Sequence, residues 1–68
     1  MNNDYIINSN GIRIHFPSAV ELMDVEICAE VSNNFAPCSY QRFFDEYAQQ
    51  HLEKYGEVWE LDKANPVW

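Results

Sequence analysis

From residue 40 to residue 55 one kind of side chain returns at helical spacing. Tyr40, Phe43, Phe44, Tyr47, Ala48, His51, Leu52 and Tyr55 fall at i, i+3, i+4, i+7, i+8, i+11, i+12 and i+15. That pattern is one continuous face of an α-helix, and a face so rich in aromatic rings has to be buried. Gln41, Arg42, Asp45, Glu46, Gln49, Gln50, Glu53 and Lys54 fill the opposite side. Ser39 stands where an N-cap belongs, and Lys54 lies near the end that favours a cation. Gly56 either stops this helix in a left-handed cap or is carried inside it at a cost of about 1 kcal/mol. Both outcomes stay open. In the second, Val58 joins the apolar face and Leu61 lies at its edge.

The rest of the chain must supply the other wall of the core. Residues 4–16 read as a β-hairpin, with Tyr5, Ile6 and Ile7 on one side of Asn8-Ser9-Asn10-Gly11 and residues 12–16 on the other. Asn-Gly is a strong hairpin signal because both residues tolerate positive φ. In the second strand Ile12, Ile14 and Phe16 share one face. Pro17 breaks that strand. Ser18 and Glu21 then spell a capping box, which predicts a short helical turn over 18–23. From Val25 to Ser32 apolar and less apolar residues alternate, and this predicts a third strand over 24–32. A continuous helix over 18–32 is the competing reading. The expected fold is therefore α+β: a small antiparallel sheet of a hairpin plus a third strand, packed by a long C-terminal amphipathic helix. Tyr40, Phe43, Phe44, Tyr47, Leu52 and Tyr55 should meet Ile12, Ile14, Phe16, Ile27 and Val31.

Sixty-eight residues allow a single small domain, 1–68. Hydrophobic residues make up 47% of it, too many for a disordered chain. The formal net charge of −7 argues against direct binding to nucleic acid or to an anionic membrane, which require clustered cations. Arg13, Arg42, Lys54 and Lys63 are scattered. The charge favours a protein partner with a basic surface. No secretory signal and no membrane span is expected, and two cysteines make no disulfide framework. A cytoplasmic protein is the corresponding expectation, inside a bacterial host if the chain is phage-encoded.

Catalytic and metal chemistry find little support. His15, Cys28, Cys38 and His51 contain the elements of a zinc site but lack the close paired spacing that preorganises one. Cys38 and His51 could form a nucleophile pair, yet no oxyanion or elbow motif accompanies them. With glycine only at positions 11 and 56, there is no phosphate-cradling loop. We expect no enzyme activity, no cofactor and no metal.

Two features point to binding. If the last helix runs through Gly56, then Glu46, Glu53, Glu57 and Glu60 fall within an arc of about 60°, at rises of about 10, 6 and 4.5 Å. Such a row would imitate phosphates, with Asp24, Glu26 and Glu30 as a second row on the predicted strand. Trp59, Trp68 and Phe35 lie outside the core periodicity. They either anchor an interface or fold back over a thin core. Short length, strong acidity and absent catalytic signatures resemble the small proteins with which phages block host defence, the anti-CRISPR and antirestriction proteins, some of them DNA mimics. No residue motif carries this likeness, so no position is transferred from it. The expected function is a small acidic, non-catalytic module that inhibits a partner by occupying its basic, nucleic-acid-binding surface. Glu46, Glu53, Glu57, Trp59, Glu60 and Trp68 are the expected contact residues. The alternative is a homodimeric structural or assembly protein.

Overall fold

The computed structural model describes residues 4–66. Strand β1, Tyr5–Ile7, pairs antiparallel with β2, Arg13–His15, and places Ile6 opposite Ile14. Both isoleucines point into the core. The turn differs from the expected mirror-image pair. Gly11 has φ of 82°, and no non-glycine among the described residues has a positive φ. The amide of Asn8 donates to the carbonyl of Ile12 at 2.9 Å, and the amide of Gly11 donates to the carbonyl of Asn8 at 3.0 Å. The loop therefore spans residues 9–11 with glycine in its left-handed position.

Asn8 does more than shape this loop. Its Oδ1 accepts from the amides of Asn10 and Ile12, both at 2.9 Å. Its Nδ2 donates to the carbonyls of Leu61 at 3.0 Å and Lys63 at 2.8 Å. Asn8 is buried, and both ends of its amide are satisfied, which burial demands. Asp62 completes the seam by accepting from the amide and hydroxyl of Ser9, each at 2.8 Å. The hairpin turn is thus stitched to the C-terminal segment.

Helix α1, Phe16–Glu21, begins directly after β2. His15, not Ser18, is its N-cap, because Pro17 sits in the first turn, where a missing N–H costs nothing. Ser18 instead meets Nδ1 of His15 at 2.7 Å. The chain then breaks at residues 22–24, so a continuous helix over 18–32 does not form. The expected third strand does not form either. Residues Val25–Phe35 make helix α2, capped by Asp24, whose carboxylate accepts from the amides of Glu26 and Ile27. Ile27 and Val31 are buried, with Cys28 and Phe35 packed beside them. These positions share a helical face. The apparent alternation came from Val25, which is 81% exposed, and from Ala29, which also faces outward.

Helix α3, Tyr40–Tyr55, follows the expected stripe, with Ser39 accepting from the amide of Arg42 at 3.1 Å. It ends at Gly56, which adopts φ of 74° and donates its amide to the carbonyl of Leu52. The chain then turns back through a short 3₁₀ helix, Glu60–Asp62. This return buries Trp59 and Leu61. The Trp59 ring lies 4.3 Å from Tyr47 and 5.3 Å from Phe44. Phe44, Tyr47, Ile14, Phe16, Ile27 and Val31 are in the core as expected. Ile12, Tyr40, Leu52 and Tyr55 lie at the surface instead, because Trp59, Leu61, Met23 and Ala19 take the space.

A polar hub joins α2 to α3. The backbone amide of Asp24 donates to the hydroxyl of Tyr47 at 2.6 Å, and the hydroxyl of Tyr55 donates to the Asp24 carboxylate. Lys54 bridges Glu26 at 2.9 Å and Asp24 at 3.6 Å. The Tyr55 hydrogen bond, then the helix amides and Lys54, hold the Asp24 carboxyl below its ordinary range. The same bond raises Tyr55, and burial raises Tyr47.

Replacing Trp59 by Ala should cost about 3–5 kcal/mol, comparable to the ~3–10 kcal/mol total of a domain this small. Val58→Ala should cost under about 1 kcal/mol, and urea unfolding of both variants checks the contrast. A carboxyl depressed in the fold stabilises above its unfolded value of 3.8 and loses that contribution as pH falls through the folded value. Wild type should therefore exceed Asp24→Asn in Tm at neutral pH, with the gap closing as pH falls below 3.8. The raised tyrosines predict a second decline as pH climbs past 10.

Candidate partner-binding surface

Local helix geometry divides the acidic residues into two kinds. Glu46 and Glu53 are two turns apart on α3, Glu53 exposed and Glu46 half-buried. Glu46 accepts from Arg42 at 3.2 Å, and Glu53 accepts from Gln49 at 3.5 Å. Glu57 and Glu60 lie beyond the left-handed stop at Gly56. The expected single helical row of four carboxylates is therefore broken into two pairs. The expected second row is also absent, since its strand is a helix. Asp24 caps α2, Glu26 pairs with Lys54, and Glu30 accepts from Asn34 at 3.4 Å. Asp24 and Glu26 serve the fold.

Glu57 and Glu60 line a groove of about 460 Å³ at the C-terminal end of α3. Its rim carries Leu22, Tyr55 and Val58, which are 55%, 48% and 44% exposed. Trp59 and Leu61 form its floor, and Lys63 stands among the lining residues. His51 fixes one wall, with Nδ1 3.1 Å from the carbonyl of Glu57 and its ring 4.8 Å from Tyr55. Trp59 itself is only 5% exposed, so it is a core residue and not an exposed anchor. The physical cause is the turn at Gly56, which sends the chain back over Phe44 and Tyr47. Trp68 lies outside the described residues. The exposed apolar groups that accompany the acids are Leu22, Tyr55 and Val58. Tyr55 was expected in the core, and Val58 on the same apolar face only if the helix continued past Gly56. The left-handed signal of Gly56 was the clue that would have moved Val58 outward.

Among the described residues no group of three or more His, Cys, Asp or Glu side chains is arranged to hold a metal ion. Cys28 and Cys38 are free and half-buried, and both line a separate apolar groove of about 390 Å³. His51 lies about 16 Å of helix away from the start of α3 beside Cys38, so the two do not form a nucleophile pair. No described helix is long and apolar enough to cross a membrane.

No curated protein and no solved structure matches the chain. Residues 7–59 match the family described as anti-CRISPR protein AcrIC5. The matched stretch runs from the end of β1 to the tryptophan at the groove floor, well over half of the sequence. The chain therefore belongs to the AcrIC5 family of anti-CRISPR proteins.

Proposed function

We propose that this chain, acting in the bacterial host of a phage, inhibits a CRISPR effector complex by occupying a basic, nucleic-acid-binding surface of one of its proteins. It does so as a binder and catalyses no reaction. The observation that carries this reading is the exposure of Glu53, Glu57 and Glu60, with the half-buried Glu46 on the same helix as Glu53, in a chain of net charge −7. Arg42 pairs with Glu46, and Lys63 shares the groove lining with Glu57 and Glu60. The family membership supplies the class of target. Because Gly56 interrupts the row, any imitation of phosphate rests on charge density and not on a regular ladder. Leu22, Tyr55 and Val58 take the apolar role first expected of Trp59.

Charge of this kind accelerates encounter and selects the partner more than it deepens affinity. Tagged full-length chain should capture purified effector complex at low salt, with an association rate that falls at least about tenfold by high salt. Replacing Glu46, Glu53, Glu57 and Glu60 together by Gln should abolish capture while the thermal transition persists. Inhibition should titrate with the chain, each copy disabling at most one effector. Binding indifferent to both salt and the fourfold variant, or inhibition by a small fraction of an equivalent, would refute this reading.

A further inference from the structure

We propose that the groove at the C-terminal end of α3 receives one arginine side chain of the inhibited protein. The aliphatic stem lies across Leu22 and Val58, and the guanidinium sits between Glu57 and Glu60. The inference deepens the function proposed above and rests on it for the source of the arginine.

Three observations support it. First, the groove joins an apolar rim to two carboxylates, which is the chemistry of a long cationic side chain that keeps its stem dry and its head paired. Second, the carboxylates of Glu57 and Glu60 accept no hydrogen bond and no ion pair from the described residues, unlike those of Asp24, Glu26, Glu46 and Asp62. Third, the fold already contains one such arrangement. The Nζ of Lys54 is shared by two carboxylates, 2.9 Å from Glu26 and 3.6 Å from Asp24, and lies 5.2 Å from the centre of the Tyr55 ring. The neighbouring shallow groove beside Glu26 and Glu30 is thus already supplied with its cation. The groove beside Cys28 and Cys38 has no charged lining group.

Arginine suits two separate carboxylates better than lysine. Its planar fork presents several donors, and its guanidinium is more weakly hydrated than an ammonium. Lys63 opposes the guest, because it is a like charge in the same lining. Its removal should therefore strengthen binding.

The test needs no effector complex. Backbone amide NMR spectra of the full chain are recorded during titration with N-acetyl-arginine amide, and separately with its uncharged citrulline counterpart. Arginine should shift the resonances of Leu22 and of residues 57–61, and citrulline should not. Glu57→Gln combined with Glu60→Gln should weaken the effect at least about threefold, as the loss of two exposed ion pairs implies. Leu22→Trp, which fills the rim without touching a charge, should weaken it also, and Lys63→Gln should enhance it. Equal shifts with citrulline, shifts spread along Glu46 and Glu53, or full retention in Leu22→Trp would overturn the groove assignment. That failure would leave salt-dependent effector capture untouched, so the two proposals fall separately.

Discussion

The left-handed turn at Gly56 decides both how this chain folds and what it shows to a partner. With φ of 74° the glycine ends α3 and reverses the chain, which lays Trp59 over Phe44 and Tyr47. A domain of this size buries only about 60% of the surface its unfolded chain exposes, so the apolar cover that Trp59 lays over Phe44 and Tyr47 is a large share of its core. The returning segment provides the missing lid. The same reversal takes Glu57 and Glu60 off the helix axis and sets them around a groove whose floor is that lid. Core closure and the construction of this groove are one event.

Polar contacts then lock the corners that apolar packing cannot define. Asn8 and Asp62 attach the C-terminal segment to the hairpin turn through side chains aimed at backbone groups. Asp24 attaches the start of α2 to α3 through Tyr47, Tyr55 and Lys54. Both devices join segments far apart in sequence, so they restrict the unfolded chain little and the native one strongly. Each also uses an acid with nearby donors, which keeps its charge satisfied where it is partly desolvated.

Elements with local signals were legible from residues alone. The hairpin was marked by Asn10-Gly11, and α3 by its stripe, its Ser39 cap and the spacing of Phe43, Phe44 and Tyr47. Helix α2 was not legible, because an exposed Val25 and Ala29 counterfeited alternation, while the decisive Asp24 cap was read as part of a strand. For Trp59 the residues left open both an interface anchor and a fold-back over the core, for a different reason. Its burial depends on a reversal that periodicity cannot express, and the choice at Gly56 is settled by tertiary packing. Of the site, the acidic character was legible from composition. The partition of those acids was not, since it depends on which carboxylates find donors after folding.

That partition explains how so small a fold carries so much negative charge. Self-repulsion opposes compaction, and four basic residues cannot neutralise eleven acids. The fold spends its cations where acids hold its own structure: Lys54 serves Asp24 and Glu26, and Arg42 serves Glu46. Exposed carboxylates such as Glu53, Glu57 and Glu60 project into water, where screening keeps their mutual repulsion small. Carried against a basic channel that excludes water, the same charges would act at a lower effective dielectric and interact far more strongly. Unpaired exposed carboxylates are therefore tolerable for the free domain and, under the function proposed above, become most effective when a complementary surface covers them.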